Sequence, residues 1–239
     1  MSIHARSAAY YDALYRAQGK NYADEAERVH RFITTHKRSS GSALLDAACG
    51  TGRHLEYLRA WYTCQGLDID RAMLAIAQER LPDVPLHCQD MIGFHLDQRF
   101  DAITCLFGSI AFAPNVAKLD QTIDTFARHL QPGGVVLVEP WLRPQMWCEG
   151  SLDAQFADEP DIKVARMSIS RRDGNISILN FHYMTAGRDG IRTFAEPQRL
   201  MLFTDEEYRR AFERAGLTVH YDEPGLTGRG LFLGVRRGA

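Results

Sequence analysis

Apolar runs of strand length alternate with predicted helices over the first 141 residues of the chain. The apolar runs fall at residues 44–48, 65–69, 86–91, 100–107 and 135–141. Between them, helices are predicted at residues 54–62, 71–80 and 119–130, the last two from apolar side chains at three- and four-residue spacing. This alternation predicts a parallel sheet with helices on both of its faces.

The pattern changes after the fifth strand. From residue 163 to residue 203, apolar and polar positions alternate, and turns that contain Asp-Gly lie at residues 172–175 and 187–190. A period of two with such turns predicts antiparallel hairpins. The insertion is either a decoration or a layer that builds a substrate pocket over the ligand-binding edge, and we expect the second.

The C-terminal segment supplies the rest of the main sheet. Thr204 and Glu207 have the spacing of a capping box, so a last helix is predicted at residues 207–215. Residues 217–222 and 230–236 are predicted to form an antiparallel edge. The expected fold is α/β, a seven-stranded and mostly parallel sheet with a small antiparallel β insertion after strand 5, in one domain over residues 1–239.

Residues 1–35 are predicted to be helical and to lie outside this core. Tyr11 and Tyr15 are spaced one helical turn apart. They either cover the core as part of a capping helix or form a lid over a ligand, because a ring with a hydroxyl suits the edge of a wet pocket. We name residues 1–35 the N-terminal lid and leave both interpretations open.

Charge and cysteine content narrow the function classes. The chain of 239 residues has 28 basic and 30 acidic side chains, a net charge of −2, which favours a small-molecule partner over nucleic acid or an anionic membrane. Five cysteines without a C-x-x-C pair predict buried free thiols and no zinc site. With no apolar core in residues 1–22 and no run of 18 apolar residues, a cytoplasmic protein is expected.

The turn after the first strand carries the clearest sign of a ligand. Its sequence, DAACGTG at residues 46–52, places Gly50 and Gly52 where a ligand can approach unpaired backbone N–H groups. Asp68 follows at the end of the second strand, where nucleotide-binding α/β units hold ribose hydroxyls, so a Rossmann-like sheet is expected. The third glycine of the dinucleotide fingerprint is missing at residues 54–55, which weakens the case for an NAD-dependent dehydrogenase. A regulatory nucleotide-binding protein and an ordinary glycine-bearing turn are the other interpretations.

The motif Asp-x-x-Cys-Gly-Thr-Gly resembles motif I of the class I S-adenosylmethionine (AdoMet) methyltransferases. The resemblance implies AdoMet as the cofactor. It also implies that Asp90, at the end of the third strand, contacts the adenine amino group, although this carboxylate could instead cap the turn that follows. The cofactor contacts that the resemblance implies are Tyr22, Asp46, Ala48, Gly50, Thr51, Gly52, Asp68, Ile69, Asp90, Met91 and Leu106.

A more specific resemblance extends along the whole chain, to N,N-dimethyltransferases of dTDP-linked aminosugars in antibiotic pathways, such as those of desosamine and mycaminose. It rests on GK-x-Y at residues 19–22, LLD-x-ACGTG-x-HL at 44–55, GGVV at 133–136, VEPW at 138–141 and GRGLF at 228–232. It implies that the acceptor is the amine of a nucleotide-sugar. Because the sulfonium of AdoMet is an activated methyl donor and a neutral amine is a competent nucleophile, direct in-line transfer is expected. A homodimer is a further expectation. Another small-molecule amine or a hydroxyl is the alternative acceptor.

The same resemblance implies the residues that meet the acceptor. Tyr11 and Tyr15 are expected to position the amine, with no obligatory general base. Arg229 is the candidate for the pyrophosphate, because its planar fork can donate two hydrogen bonds to phosphate oxygens. The other candidates are Ser109, Phe112, Trp141 and His182. Phe112 stands where the family has histidine or tyrosine, and a lone strand histidine such as His182 is more often a packed or solvated side chain.

Overall fold

The computed structural model describes residues 6–238, so residues 1–5 of the N-terminal lid and Ala239 lie outside the described part of the chain. In chain order the elements are α1 (Ala8–Ala17), α2 (Tyr22–His36), β1 (Ala43–Ala47), α3 (Arg53–Leu58), β2 (Thr63–Asp68), α4 (Arg71–Arg80), β3 (Leu86–Cys88), β4 (Phe100–Cys105), a 3₁₀ helix (Ser109–Phe112), α5 (Val116–His129), β5 (Leu130–Val138), β6 (Leu152–Asp158), β7 (Ile162–Asp173), β8 (Ile176–Gly187), β9 (Gly190–Met201), α6 (Asp205–Arg214), β10 (Leu217–Asp222) and β11 (Leu231–Arg236).

The main sheet has seven strands in the order β10-β11-β5-β4-β1-β2-β3. Strands β1 to β5 pair in parallel, and β11 pairs antiparallel with both β5 and β10. The chain passes from β1 through β2 to β3 on one side of the sheet and then from β4 to β5 on the other. The switch point is therefore between β1 and β4, and ligands bind outside the carboxyl ends of strands at such a point.

Hydrophobic side chains bury both faces of this sheet. Leu44 of β1 packs in a cluster with Val29 of α2, and its neighbour Leu45 packs in a second cluster with Phe126 of α5 and Phe212 of α6. Successive strand residues point to opposite faces, so a strand covered on both sides must be apolar throughout. The predicted seven-stranded sheet with helices on both faces is confirmed.

The four strands β6 to β9 form a separate antiparallel sheet, with β6 and β9 at its edges. Strands β7 to β9 account for the predicted insertion at residues 163–203, and the turn at residues 172–175 joins β7 to β8. Strand β6 was not predicted from the sequence. Its only buried residue is Ala157, and its large apolar residues, Leu152 and Phe156, are exposed, so it does not have the buried apolar row of a core strand.

Several boundaries differ from the predicted ones. Helix α3 ends at Leu58 instead of residue 62, and α5 is followed at once by β5, which begins at Leu130. Residues 131–134, which lie between the predicted helix at residues 119–130 and the predicted strand at residues 135–141, belong to β5, where its register with β4 shifts. Gly133 has a φ of 77°, and its carbonyl accepts the N–H groups of Arg38 and Ser39, so this irregular part of the strand binds the loop before β1.

The lid helix α1 packs beneath the antiparallel sheet. Leu14 is buried in a third apolar cluster with Val164 and Phe181. The carboxylate of Asp12 binds the guanidinium of Arg80 and accepts a hydrogen bond of 2.6 Å from Thr51 in the glycine-bearing turn. Helix α1 is thus tied to both the antiparallel sheet and the turn after β1.

The cysteines are unpaired, but the expectation that they are buried is wrong for Cys88 and Cys148. Cys88 ends the edge strand β3, and Cys148 is exposed in the segment between β5 and β6. No helix of residues 6–238 is long and apolar enough to cross a membrane. The same residues contain no group of three or more His, Cys, Asp or Glu side chains suited to a metal ion.

Candidate active site

One cavity of about 570 Å³ is lined both by the carboxyl ends of the parallel strands and by the inner face of the antiparallel sheet. Its volume is typical of a small-molecule site. Helix α1 contributes Tyr11 and Tyr15 to the wall. The lid, the main sheet and the insertion therefore meet at a single site.

Asp68, at the end of β2, fixes the glycine-bearing turn on one side of this cavity. Its two carboxylate oxygens accept the N–H groups of Gly50 and Asp70, each at 2.8 Å. Burial raises the pKa of Asp68. A Cβ added to Gly50 would meet no atom within 4 Å, so this turn borders open space. Each oxygen of Asp68 can accept a second hydrogen bond, from a ligand hydroxyl for example.

The turn adopts a backbone that few residues tolerate. Ala48 has a φ of 58° and Gly50 a φ of 55°. A left-handed conformation strains a residue that has a Cβ, by about 1–3 kcal/mol, and such strain persists where the surrounding structure imposes it. Both residues line the cavity. The strained backbone therefore lies in the cavity wall, where a ligand can contact it.

Twelve of the candidate residues line the cavity. On the cofactor side these are Ala48, Gly50, Asp68, Ile69, Asp90 and Met91. On the acceptor side they are Tyr11, Tyr15, Ser109, Phe112, Trp141 and Arg229. Asp90 also accepts the N–H of Ile92 at 2.9 Å, so its carboxylate caps the following turn while it lies at the cavity wall.

Five candidate cofactor residues lie outside the cavity lining and instead support the turn from behind: Tyr22, Asp46, Thr51, Gly52 and Leu106. Asp46 is buried and accepts a hydrogen bond of 2.7 Å from Thr104, and burial raises its pKa to about 6. Gly52 begins α3 with a φ of 76°, where an added Cβ would lie 3.2 Å from the Cβ of Ala77. These five residues therefore do not line the cavity in this structure, and Asp46 and Gly52 pack against the protein behind the turn.

His182 lies on the outer face of the antiparallel sheet and does not line the cavity. Phe181 and Tyr183, its neighbours on β8, are buried on the inner face. Side chains alternate across a strand, so His182, which lies between two inward-facing residues, must face outward. His182 thus has no access to the acceptor side of the cavity within this chain.

A buried ion network supports the start of α3. The ammonium of Lys20 binds Glu25 at 2.7 Å, and the other oxygen of Glu25 lies 2.7 Å from Nε2 of His54. Burial lowers the pKa of Lys20. Lys20 also lies 3.8 Å from the ring centroid of Phe107, which lines the cavity. The GK-x-Y motif is therefore joined physically to the cofactor turn and to the turn after β4.

The turn after β4 is held by Glu139, a carboxylate with no exposed surface. It accepts the N–H of Phe107 at 2.7 Å and the hydroxyl of Thr227 at 2.5 Å, and lies 3.7 Å from Arg229. Phe107 has a φ of 56°. The hydrogen bond to Glu139 thus holds a strained residue at the point where the cavity passes from the main sheet to the insertion.

Gly108 follows Phe107 and also has a left-handed φ, of 76°. A Cβ at this position would lie 3.0 Å from the ring of Trp141 and 3.1 Å from Nη1 of Arg229. Trp141 and Arg229 pack directly against the backbone of Gly108, because glycine has no side chain that would prevent this contact. The guanidinium of Arg229 also stacks on the rings of Phe107 and Trp141, with centroids at 5.0 and 5.3 Å.

Arg143 anchors the C-terminal loop that carries Arg229. Its Nε binds Asp205 at 2.7 Å, and its two terminal nitrogens donate to the backbone carbonyl of Arg229 and to the hydroxyl of Tyr221. The guanidinium is buried. Arg143 therefore fixes the loop from behind and leaves the side chain of Arg229 at the cavity.

The two lid tyrosines pack in series against this turn. Their ring centroids are 4.6 Å apart, and the ring of Tyr15 meets that of Phe107 edge-on at 5.0 Å. Burial, and then the neighbouring Tyr15, raise the pKa of Tyr11 well above its usual range. Tyr11 is therefore neutral at physiological pH, so that it can donate or accept a hydrogen bond but does not supply a phenolate base.

The inner face of the antiparallel sheet brings residues to the cavity that the sequence did not single out. They include Gln155, Arg166 and Phe181, and Trp147 joins them from the segment between β5 and β6. Arg166 is in phase with Val164 on β7, and both are buried. The sequence shows that Arg166 and Val164 lie on the same face of β7. It does not show which face is buried, because both faces of the strand carry apolar residues.

These features fit AdoMet. The glycine-bearing turn borders open space and Asp68 can accept hydroxyl groups, as a ribose requires. Ile69 and Met91 provide apolar surface, and Asp90 provides a carboxylate, at the ends of β2 and β3. The residues that would hold the cofactor thus lie together on one side of the cavity.

Comparison with known proteins agrees with this fit. A family model described as a methyltransferase domain matches residues 44–134. A dTDP-3-amino-3,6-dideoxy-α-D-glucopyranose N,N-dimethyltransferase of Streptomyces fradiae is 42% identical over 94% of this chain and 89% of its own length. A dTDP-3-amino-3,4,6-trideoxy-α-D-glucopyranose N,N-dimethyltransferase of Streptomyces venezuelae is 40% identical over 94% of this chain and 95% of its length.

Solved structures give the same result. The crystal structure of DesVI from Streptomyces venezuelae superposes with a TM-score of 0.89 at 39% identity, over 95% of this chain and 96% of that one. CalS10, an amino pentose methyltransferase of Micromonospora echinaspora solved with bound AdoMet, gives a TM-score of 0.85 at 40% identity over the same shares. The chain therefore belongs to the family of AdoMet-dependent methyltransferases that contains the dTDP-aminosugar N,N-dimethyltransferases.

Proposed function

We propose that this protein N-methylates, and in two rounds N,N-dimethylates, the amino group of a dTDP-linked aminosugar by direct in-line transfer. The observation that carries the proposal is the single cavity, which joins a turn suited to AdoMet to the inner face of the antiparallel sheet. Relatives with this activity align with nearly the whole chain, so the alignment includes the insertion and the C-terminal loop. Family membership excludes the dehydrogenase interpretation.

The chain contributes mainly by positioning. AdoMet, when bound, supplies an activated methyl group on a sulfonium. The cavity walls at Tyr11, Tyr15 and Phe107 restrict where an acceptor amine can lie, and holding two reactants close and aligned can lower a barrier by about 7–11 kcal/mol. Phe112 lines the cavity and has no group that can transfer a proton.

The acceptor amine must reach the site unprotonated to act as a nucleophile. Transfer of the amine from water to a cavity walled by Tyr11, Tyr15 and Phe107 disfavours its charged form. Neutral Tyr11 can accept a hydrogen bond from an amine proton. After the methyl group is transferred, the methylated ammonium loses one proton to water, without a dedicated base in the chain.

We further propose that two copies of the chain associate through the outer face of the antiparallel sheet. Large apolar side chains are exposed there on all four strands: Leu152, Phe156, Met167, Met184 and Ile191. Phe156 opposes Ala165, which opposes Met184, so these side chains form a row across three strands. A large exposed apolar patch marks an interaction surface.

A cytoplasmic location is also part of the proposal. All five cysteines are free thiols, although Cys88 and Cys148 are exposed to solvent. Exposed thiols persist in a reducing compartment, whereas secreted proteins tend to form disulfides. Oxidation of Cys88 and Cys148 in a freshly isolated intracellular sample would contradict this part.

The proposed reaction is tested by mass spectrometry of the products. With AdoMet and a dTDP-3-amino-3,6-dideoxyhexose, we expect two successive mass increases, each of one added methylene, and equimolar S-adenosylhomocysteine. The matching dTDP-hexose with a hydroxyl in place of the amine is the control and should stay unmodified. Methylation of this control would show that a hydroxyl can be the acceptor. Methylation of free amines in preference to the nucleotide-sugar would show that the acceptor is another small-molecule amine.

Asp68→Ala is expected to weaken AdoMet binding by about 1.5–3 kcal/mol, the range for a hydrogen bond to a charged group. Isothermal titration measures the dissociation constant. Asp101→Ala is the matched control, because Asp101 is also a buried acid that accepts two backbone N–H groups, those of Gly41 and Ala43, outside the cavity. The control should lose stability and keep its AdoMet affinity. Equal affinities of wild type and Asp68→Ala would show that another group holds the ribose.

Tyr11→Phe is expected to lower kcat by about 10- to 100-fold, below most of the 10²- to 10⁴-fold range of a true general base. In both proteins kcat/KM should rise with pH up to the pKa of the acceptor amine, because the protein supplies no base that titrates. Tyr10→Phe is the control, since Tyr10 packs on Phe194 and does not line the cavity. Complete loss of turnover in Tyr11→Phe with both ligands still bound would establish Tyr11 as a dedicated base.

Replacement of both Phe156 and Met184 by Glu is expected to convert a dimer into a monomer, because two charges would have to be buried at the interface. Light scattering after size-exclusion chromatography measures the mass. Tyr57→Glu removes an exposed aromatic on α3, away from the sheet, and should leave the dimer intact. A wild-type protein that is monomeric at high micromolar concentration would rule out this interface.

A further inference from the structure

The loop between β3 and β4 carries the carboxylate that is expected to contact the adenine, but it has no regular structure of its own. Residues 89–99 form no helix or strand. Asp90, Met91 and Ile92 of this loop line the cavity. Backbone N–H and C=O groups that lie outside helices and strands need other partners, because a buried polar group without one is costly. The position of Asp90 therefore depends on the contacts that hold the rest of the loop.

Two buried side chains of α5 bind the backbone of this loop. Nε2 of His129 accepts the N–H of Leu96 at 3.2 Å. Oγ1 of Thr125 lies 3.0 Å from the carbonyl oxygen of Ile92 and 2.8 Å from that of Gln121, so its proton is shared between the two. The two residues are four positions apart and therefore lie on the same face of the helix. Helix α5 thus holds the loop at two points.

The partners of the His129 ring define its protonation state. Nδ1 lies 2.8 Å from the carbonyl oxygen of Thr125, one turn earlier in α5. A carbonyl can only accept, so Nδ1 carries the proton, and Nε2 keeps the lone pair that accepts the N–H of Leu96. Only the neutral ring can make both bonds. A second proton, on Nε2, would face the N–H of Leu96 and break that contact.

The surroundings of His129 favour this neutral form. Its ring centroid lies 4.3 Å from that of Phe94, a buried residue of the loop. The charged side chains around the ring and the end of α5 come from the loop, from α5 and from β11, and are His95, Asp97, Arg99, Asp124, Arg128 and Arg236. The two acids are paired, Asp97 with His95 and Asp124 with Arg128. Burial lowers the pKa of His129; the bond to Thr125 opposes this, and the positive neighbours add to it.

We propose that His129 is a positioning residue for the cofactor, whose neutral ring holds the β3–β4 loop so that Asp90 can accept a hydrogen bond from the 6-amino group of the adenine. Asp90 also accepts the N–H of Ile92, and Thr125 contacts the carbonyl of that same residue. The carboxylate is therefore linked to α5 through a single residue of the loop. This inference rests on the AdoMet side of the proposed function, in which Asp90 contacts the adenine, and does not depend on the acceptor.

The test compares the affinities of S-adenosylhomocysteine and S-inosylhomocysteine, measured by isothermal titration at pH 7.5. Inosine has an oxygen in place of the 6-amino group, so the carboxylate would meet an acceptor instead of a donor. We expect wild type to prefer S-adenosylhomocysteine by about 10-fold or more. His129→Leu removes the acceptor for Leu96 and should reduce this preference to about threefold or less, mainly through weaker binding of S-adenosylhomocysteine. Thr125→Val keeps the shape of the side chain and should lose part of the preference.

Loss of stability alone should not change the preference between the two ligands. Asp101→Ala loses two backbone hydrogen bonds outside the cavity, and His95→Gln alters an exposed ring on the loop, so both controls should keep the preference of wild type. If His129→Leu also keeps it while Asp90→Ala loses it, the adenine contact stands and the role of His129 is overturned. If Asp90→Ala keeps it, or wild type shows none, the adenine contact and the inference both fail. Neither result concerns the acceptor, which the product assay tests separately.

His129→Gln tests the protonation state and does not require that the leucine variant folds. A glutamine amide can present an acceptor near the position of Nε2 but does not titrate. At pH 7.5 this variant should keep the preference of wild type. As the pH falls to 5, wild type should lose its preference, starting below the ordinary histidine pKa of about 6.5, whereas the glutamine variant should retain it. Asp46, whose pKa is about 6, titrates in both proteins, so its effect cancels in the comparison. Parallel pH profiles of the two proteins would overturn the inference.

Discussion

The carboxylate of Glu139 is the constraint on which the proposed acceptor half of the cavity depends. It has no exposed surface, and it binds the backbone N–H of Phe107 and the hydroxyl of Thr227 and faces Arg229. These partners belong to the turn after β4 and to the loop before β11, which are far apart in sequence. Because a buried charge without partners would cost several kcal/mol, the carboxylate keeps both segments at the end of β5.

A second carboxylate plays the matching part in the cofactor half. Asp68 binds the N–H groups of Gly50 and Asp70 and so fixes the turn that ends β1 against the end of β2. Asp12 of the lid reaches the same turn through Thr51. The two halves of the cavity are therefore each organised around a buried acid, and helix α1 contributes Tyr11 and Tyr15 to the cavity wall.

Much of this arrangement could be predicted from the sequence. The main sheet, both of its covered faces and the capping box of α6 follow from periodicity and turn residues, and the structure confirms them. Residues 46–52 could be identified as a ligand-binding turn because glycines followed by an acid at this spacing are typical of nucleotide-binding α/β units. Asp46 is less predictable, since the same short motif holds residues that face a ligand and residues that support the loop from behind.

The antiparallel sheet marks the limit of such prediction. A period of two shows that side chains alternate, but the row that faces the cavity depends on packing against α1, which the sequence does not reveal. For that reason His182 was a candidate although it faces outward, and Arg166 was not although it lines the cavity. Strand β6 is nearly all exposed, so it has no row of buried apolar residues by which it could have been predicted from the sequence.

The central claim is that the cofactor and the acceptor occupy adjoining halves of one cavity. Hydrogen–deuterium exchange, measured with S-adenosylhomocysteine and with dTDP added separately, tests it most directly. S-adenosylhomocysteine should slow exchange at residues 46–52 and 67–73, whereas dTDP should slow exchange in α1 and in β7 and leave the first two segments unchanged. Protection of residues 46–52 by dTDP, or its displacement by S-adenosylhomocysteine, would contradict the account.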